Sequence, residues 1–286
     1  MYIWLMLRHR ATLERAFHLA LWLALLPALW FLFADRLNTF GLDSAHAYWN
    51  AWNQNLYGAA PGSMDAYSYS PVFAQILYPL TLLPWVAFLV VWSALLCAAL
   101  LWLLWPLGNR WRWLVMAYAA PPAMAVGNIE PLLAVAAVIG ITSPAAWALP
   151  LLTKVTPGLG PLWFVMRREW RKAVVALGAT CALVAVSFAL EPGLWMAWLN
   201  FLRSSSNVEI RYLPLWVRFP VALVILAWGA RRDRPAARAV AMVFAMPLWS
   251  SGVLLLLTAI PRLSLASHTP RAGVQEEHLE RGQVAI

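Results

Sequence analysis

One aspartate and one lysine are the residues of this sequence whose types and surroundings best suit chemistry. Asp43 lies in the segment FGLDSAHAYW, where a carboxylate in an aromatic setting can act as a general base. Lys154 is one of only two lysines and stands among apolar residues in LPLLTKVTPGLGPLW. A lone ammonium in such a segment indicates an anionic partner, and phosphate is a natural one.

Both residues also have a purely structural interpretation. Asp43 equally fits an Asx turn or the cap of a helix that starts at Ser44. Lys154 equally fits a lysine that snorkels from a helix end, because Pro157 stops the helix nearby. From spacing alone, Asp43 has no clear priority over the other acids predicted to share its side of the membrane, which are Asp35, Asp65, Glu130, Glu191 and Glu209.

Other polar and aromatic residues are weaker candidates. His46 lies three residues after Asp43 and would share a helix face with it. The segment 127–131, GNIEP, predicts a polar hairpin turn, although Glu130 within it could bind a sugar. Aromatic rings around Tyr48 could stack on a sugar or an isoprenoid chain. Nothing in the sequence has the spacing of a metal site, a phosphate-binding loop or a dinucleotide fold, so we predict no metal and no cofactor.

The composition predicts an integral membrane protein. Of its 286 residues, 63% are apolar and 12% are charged, whereas a soluble domain has about 45–50% and about 25%. A soluble enzyme, a secreted disulfide scaffold and a disordered chain are therefore excluded. The 19 tryptophans are typical of membrane interfaces, and the 20 prolines indicate helices that break where they face a cavity.

The basic residues predict the orientation. Most of the 21 lysines and arginines lie in four short breaks between apolar runs, which is typical of cytoplasmic loops. The N-terminus is then cytoplasmic, and the long polar loop 35–70 lies outside. The breaks contain Arg8, Arg10 and Arg15; Arg110 and Arg112; Arg167, Arg168, Arg171 and Lys172; and Arg231, Arg232, Arg234 and Arg238.

The apolar segments predict an all-α, polytopic transmembrane bundle of about nine spans. We expect a transmembrane domain over 1–261 and a solvated, mobile tail over 262–286. A short interfacial or re-entrant helix is expected over 72–83, and an outer loop over 191–212. The predicted spans are 16–34, 85–105, four short segments at 113–126, 131–142, 145–153 and 158–166, and then 173–190, 213–229 and 239–260.

The outer loop and the segments after it resemble a known family. The motifs G-x-D…Y, L-Y-G, Y-x-Y-x-P and L-Y-P-L-x-x-L-P stand in this order at 41–48, 56–58, 67–71 and 77–84. They resemble glycosyltransferase family 87, the polyprenol-phosphate-dependent membrane glycosyltransferases of the GT-C type. Lys154, followed by Pro157 and the run RREWR, is also similar to the family, so the likeness covers about residues 40 to 172.

The resemblance implies a GT-C-like fold and a shortened, mannosyltransferase-like member of the family. Such an enzyme transfers a hexose or pentose from a polyprenyl-phosphate donor to a lipid or glycan acceptor, with inversion, and uses no cofactor. It acts at the outer face of the plasma membrane, in the cell envelope. The implied base is Asp43 and the implied ligand of the donor phosphate is Lys154. The implied substrate-binding residues are His46, Tyr48, Tyr67, Tyr69, Asn128 and Glu130.

Two further functions need no base. A carrier or flippase for lipid-linked sugars uses the same broken helices and the same phosphate-binding lysine. A shortened, inactive paralogue would only scaffold other envelope enzymes. Whether Asp43 faces a cavity open to both water and lipid separates these functions from catalysis.

The orientation can be tested by labelling with an impermeant thiol reagent in intact cells. Ser63→Cys and Ser267→Cys, each in a chain without Cys97 and Cys181, should both be labelled, because the loop and the tail are predicted to lie outside. Absence of label at position 63 would overturn the orientation. Absence at position 267 alone would show that the number of later spans is miscounted.

Overall fold

The computed structural model describes residues 2–36, 39–53, 55–60, 63, 65–205, 213–248 and 251–266. In this part of the chain the structure is all-α, as predicted, and contains no strand. Most of the predicted tail, 267–286, lies outside the described residues. The helices are α1 (Tyr2–Arg36), α2 (Ser44–Trp49), α3 (Pro71–Thr81), α4 (Trp85–Leu104), α5 (Asn109–Val126), α6 (Glu130–Ile139), α7 (Ala148–Thr153), α8 (Gly160–Met166), α9 (Trp170–Leu190), α10 (Pro192–Ser205), α11 (Leu215–Arg231), α12 (Ala237–Ala245) and α13 (Ile260–Ala266).

Three of the described helices are long and apolar enough to cross a membrane. They are α4, α9 and the segment Thr12–Trp30 of α1. The 20 residues of α4 extend about 30 Å, the thickness of the hydrocarbon core. A fourth span is obtained if α5 and α6, which meet at a bend of 119°, are taken together. The count of nine spans stays a prediction, because the remaining helices are shorter.

The second apolar run is divided as the sequence predicts, at Pro84, whereas Pro79 lies inside α3. The expected helices over 72–83 and 85–105 correspond to α3 and α4, which are separated by a short break that ends at Pro84. Pro84 has an extended backbone and directly precedes α4, where it ends the turn without interrupting a helical hydrogen bond. The site residues before α3 are therefore held against the start of a long apolar helix.

The predicted outer loop over 191–212 is wrong in its first part. Residues 192–205 form α10, and residues 206–212 lie outside the described residues. Trp195, Trp198 and Phe201 recur every three residues and line one side of this helix, a periodicity that indicates an amphipathic helix. Trp198 donates its indole N–H to the Ser68 carbonyl at 3.3 Å. This bond attaches α10 to the long polar loop over 35–70, which we call the motif-bearing loop.

The predicted span over 239–260 is also wrong as a single helix. Helix α12 ends at Ala245, Met246 is extended, and a 3₁₀ helix begins at Ser251. The physical reason is Pro247, whose ring disfavours a helical conformation for the residue before it. Arg218 is buried beside this break and donates hydrogen bonds to the carbonyls of Phe244, Met246 and Pro247.

Two basic breaks, which the sequence places on the same side, contact each other. Arg167 forms ion pairs with Glu169 at 2.8 Å and with Asp233 at 2.6 Å. Lys172 also pairs with Glu169. Burial acts to raise the pKa of the Glu169 carboxyl, but hydrogen bonds from Lys172 and Arg167 outweigh it, so this pKa lies below its ordinary value. The contact supports placing both breaks on one side of the protein.

Trp147 fills the space between two glycines at the centre of the short helices. Its side chain is fully buried, and it is the last residue of the 3₁₀ turn Pro144–Trp147 before α7. A Cβ atom at Gly140 or at Gly160 would overlap the Trp147 ring. The absence of side chains at these two positions lets α6 and α8 approach the indole from both sides.

Gly160→Ala should destabilise the protein by about 1–3 kcal/mol, because the added methyl group overpacks the Trp147 site. The measurement is the apparent unfolding temperature in detergent. The matched control is Gly178→Ala in α9, where a Cβ meets no atom within 4 Å and should stabilise the helix by roughly 0.5–1 kcal/mol. Equal stability of the two variants would contradict this description of the packing.

Candidate active site

Five polar side chains from four separate segments form a buried cluster, which we call the polar centre. Its members are Tyr48 of α2, Tyr69 before α3, Asn128 and Glu130 at the turn between α5 and α6, and Lys154 after α7. The Asn128 side-chain oxygen accepts hydrogen bonds from the Tyr69 hydroxyl at 3.1 Å and the Lys154 ammonium at 3.3 Å. The Tyr48 hydroxyl donates to the Tyr69 hydroxyl at 2.9 Å. The structure thus brings together five residues that the sequence proposes for one site.

Lys154 and Glu130 form the ion pair of the polar centre. The ammonium nitrogen lies 2.7 Å from Glu130 Oε1. The Glu130 side chain is 0% exposed and that of Lys154 is 14% exposed, so the lysine is the accessible partner. The second carboxylate oxygen, Glu130 Oε2, is buried without a hydrogen-bond partner. Lys154 is therefore neither a snorkelling lysine nor an isolated charge, since a buried carboxylate holds it in place.

The turn that carries Asn128 and Glu130 is shaped by Gly127. This glycine ends α5 in the left-handed conformation, with φ of +71°, and a Cβ there would overlap Ala45 of α2. Trp92 of α4 donates its indole N–H to the Gly127 carbonyl at 2.7 Å. Only glycine allows both this backbone conformation and the close approach of α2. Helix α2, within the loop over 35–70, is thereby seated directly on the turn.

Asp43 lies at the edge of this contact. The Gly41 amide donates to the Ala125 carbonyl at 2.8 Å, and Ala45 touches Gly127, so the backbone on both sides of Asp43 follows the end of α5. Asp43 occupies the N-cap position of α2, but its side chain makes no capping hydrogen bond. The structure therefore does not support the alternative in which Asp43 only caps the helix. Its side chain is partly exposed.

His46 is paired with an acid that sequence reasoning left unassigned. Its Nδ1 atom lies 2.7 Å from Asp65 Oδ2, and its ring packs between Trp49 and Trp85. Asp65 has a positive φ of 69° and its Oδ1 atom is buried without a hydrogen-bond partner. The pair is separated by 18 intervening residues, so no local spacing indicates it; the positive φ needed at Asp65 is not readable from the sequence either.

Tyr67 lies beside the polar centre rather than in it. The ring is buried, contacts the rings of Tyr48 and Tyr69, and the hydroxyl donates to the Ser70 carbonyl at 3.2 Å. The Tyr57 ring packs against the Tyr67 ring, and its hydroxyl donates to the Tyr69 carbonyl at 2.8 Å. Burial raises the pKa of the Tyr57 phenol well above its ordinary value, so this hydroxyl stays a donor.

An apolar groove lies beside α7, the helix that Lys154 follows. It has a volume of about 220 Å³, lies between α3, α7 and α9, and includes in its lining Thr153, the residue before Lys154. The rest of the lining is apolar and consists of Val72, Phe73, Ile76, Leu149, Leu152 and Leu183, together with three alanines. The groove therefore suits an apolar chain.

The geometry of the cluster contains no metal site. Among the residues that the structure describes, no group of three or more histidines, cysteines, aspartates and glutamates is placed to hold a metal ion. The polar centre instead combines one cation, one carboxylate, one amide and two phenols, which suits a polar or anionic ligand.

Comparison with known protein families gives one match. The profile of glycosyltransferase family 87 matches residues 67–249, which is more than half of the chain. The chain belongs to glycosyltransferase family 87. No curated protein and no solved structure shows significant similarity to it. Membership of family 87 indicates a glycosyltransferase with apolar membrane helices, which confirms the resemblance described above.

The family 87 match includes four of the five residues of the polar centre. Tyr69, Asn128, Glu130 and Lys154 lie within 67–249, whereas Tyr48 precedes it. Asp43 and His46 also precede the matched segment, so their roles rest on the motif resemblance and on the contacts of α2 with the α5–α6 turn.

The ion pair can be tested with a double-mutant cycle. Lys154→Met should destabilise the protein by about 3–5 kcal/mol, because it leaves the Glu130 carboxylate buried and uncompensated. Lys154→Met combined with Glu130→Leu should recover most of this loss. The measurement is the apparent unfolding temperature in detergent, and the coupling energy is taken from the cycle.

Arg203→Met is the control, since this arginine is exposed on α10 and its loss should change stability by no more than about 0.5 kcal/mol. The cycle also needs Glu130→Leu alone. If the losses of stability in Lys154→Met and Glu130→Leu simply add in the double variant, Lys154 and Glu130 do not interact as described.

Proposed function

We propose that this family 87 protein transfers a sugar from a polyprenyl-phosphate donor to a lipid or glycan acceptor, with inversion at the anomeric carbon. The observation that carries the proposal is the position of Lys154, which is paired within a buried polar cluster and directly follows Thr153, a residue that lines an apolar groove. A molecule with an apolar chain, a phosphate and a sugar fits this sequence of environments in that order.

Lys154 binds the donor phosphate. An ammonium group has three N–H donors. Glu130 and Asn128 accept from it, and the Tyr69 side chain also interacts with it. A phosphate oxygen reaches the ammonium from the exposed side of Lys154 and takes the place of the Tyr69 interaction. Glu130, Asn128 and Tyr69 position the lysine, while the isoprenoid chain occupies the groove beside Thr153. Because the groove is apolar, the chain leaves water as it binds, which adds a hydrophobic contribution to donor affinity.

The transfer is a single displacement. The acceptor oxygen attacks the anomeric carbon, the bond from that carbon to the phosphate oxygen breaks, and the electron pair leaves with the phosphate. Asp43 takes the proton of the acceptor hydroxyl as the general base. Phosphate is a weakly basic leaving group and needs no strong acid, unlike the leaving alcohol in a glycoside hydrolase. One displacement inverts the configuration of the anomeric carbon.

The remaining predicted residues form the walls of the sugar site. Tyr48 and Tyr67 are in contact with each other at the polar centre. His46 is held by Asp65 and lies near Trp85. We place this site at the extracytoplasmic face of the plasma membrane, with the N-terminus inside. The two basic breaks contact each other, and clustered arginines are typical of the cytoplasmic side, which supports this orientation.

Asp43→Asn should reduce sugar transfer by at least about 10²-fold, because it removes the proton acceptor and keeps the shape of the side chain. The measurement uses purified protein in lipid nanodiscs with a panel of polyprenyl-phosphate sugars and a membrane-lipid extract as the source of acceptors. Asp65→Asn is the control, and its effect should be milder, because Asp65 acts only through His46.

Transfer by Asp43→Asn at close to the normal rate would show that Asp43 is not the base. If the unaltered protein binds the donors but transfers no sugar from any of them, it is a carrier and the proposal is wrong. Retained folding of both variants, measured by the unfolding temperature, excludes an indirect effect.

A further inference from the structure

The two basic breaks that contact each other form a surface with an excess of positive charge, which we call the basic face. The segments 167–172, RREWRK, and 231–238, RRDRPAAR, each contribute four basic residues and one acid. The two acids, Glu169 and Asp233, both pair with Arg167. Most of the positive charge therefore has no anionic partner among the residues that the structure describes. None of the residues of the basic face belongs to the polar centre, to the apolar groove or to the motif-bearing loop.

Arg238 is the buried member of the basic face. The residue is 1% exposed, so its guanidinium group is removed from water. Its Nε atom donates to the Pro235 carbonyl at 3.3 Å, whereas its Nη1 atom is buried without a hydrogen-bond partner. None of the ion pairs between described residues includes Arg238. A buried guanidinium without an anion is costly, because it loses its hydration and gains no opposite charge in exchange.

The ring of Trp163 brings a second guanidinium group close to Arg238. The guanidinium carbons of Arg238 and Arg167 lie 4.8 Å and 5.7 Å from the centroid of this ring. An aromatic face attracts cations, but it does not neutralise them, and the two like charges repel each other. An anion bound to both arginines would remove this repulsion. The planar fork of a guanidinium matches the oxygens of a phosphate, and the Arg167 side chain, which is partly exposed, gives a phosphate access.

The helix ends around the basic face place this phosphate at a membrane surface. Helix α9, one of the three clear candidate spans, begins at Trp170, directly after Glu169. Trp170 is exposed, and so is Trp228 in the last turn of α11. Exposed tryptophans at the ends of apolar helices are typical of the head-group level of a bilayer. Basic sites between helices at this level, on the cytoplasmic side, bind anionic lipid head groups.

We propose that the basic face binds an anionic phospholipid, with the head-group phosphate on Arg167 and Arg238 and the acyl chains along the adjoining apolar helices. In the predicted orientation this lipid belongs to the cytoplasmic leaflet. The bound lipid connects the two breaks and so couples α8 and α9 to α11 and α12. The inference does not depend on the proposed function, since it concerns stability and uses no residue of the polar centre.

Thermal unfolding of the full-length protein in detergent tests the inference. Phosphatidylglycerol should raise the unfolding temperature by about 2–4 °C at about ten times the mole fraction that gives half of the maximal rise. Phosphatidylcholine, which is uncharged overall, should give no such rise. Inorganic phosphate at millimolar concentration should also give none. An equal rise with inorganic phosphate would show that the ligand is a soluble anion and would overturn the lipid.

Arg238→Met distinguishes a lipid-binding role from a purely structural one, because it keeps an apolar stem and removes the charge. Without phosphatidylglycerol the variant should unfold at no lower temperature than the wild type, since the buried charge has no partner to lose. Its half-saturating mole fraction of phosphatidylglycerol should rise at least about tenfold, through the loss of charge-assisted hydrogen bonds to the phosphate. A lower unfolding temperature together with an unchanged response to the lipid would show a structural role and overturn the inference.

Arg234→Gln decides the question if Arg238→Met does not fold, because Arg234 is an exposed residue of the basic face. Its half-saturating mole fraction should rise about fivefold, as expected for one basic residue near anionic head groups. Arg110→Gln is the matched control, since Arg110 is an exposed arginine of another basic break, and its response to the lipid should equal that of the wild type. The inference is wrong if the two phospholipids act equally, if Arg234→Gln responds like the wild type, or if Arg110→Gln weakens the response as strongly as Arg234→Gln.

Discussion

The buried ion pair between Lys154 and Glu130 is the constraint on which the rest of the site depends. Two charges removed from water are stable only when they are close together and further hydrogen-bonded. Here the distance is 2.7 Å, and Asn128 adds a third polar partner that also accepts from Tyr69. The turn after α5 and the loop after α7 must therefore meet, and the segment before α3 must lie against both. The breaks between the short helices of this region allow these three segments to meet at one point.

Much of this could be predicted from the sequence because it depends on local signals. Composition determines the membrane class, and Pro84 determines the boundary between α3 and α4. Lys154 stands out because an unpaired ammonium in an apolar segment is costly, so the sequence predicts a partner without naming it. Glu130 lies 24 positions away, and its surroundings in the sequence indicate only a turn residue or a sugar ligand. Its role as that partner follows from the 119° bend between α5 and α6, which no local pattern specifies.

The elements that sequence reasoning missed fall into two physical classes. Helix α10 and the break after Ala245 have local signals, namely the three-residue spacing of Trp195, Trp198 and Phe201 and the proline at 247, which were outweighed by the expectation of a loop and of a continuous span. The His46–Asp65 pair has none. It depends on how the long loop folds back over α2, and loop paths are set by tertiary contacts. The pair is for this reason visible only in the structure.

The placement of Trp147 between Gly140 and Gly160 has a consequence for how such a sequence can diverge. Each glycine is acceptable only while the indole is present, and the indole fits only while both glycines lack side chains. Residues in mutual contact have strongly non-additive effects, so the first substitution at any of the three positions is harmful on its own. A smaller ring at 147 leaves a void, whereas a methyl group at 140 or 160 produces a clash. Related sequences are therefore expected to keep the residues at all three positions or to replace them together.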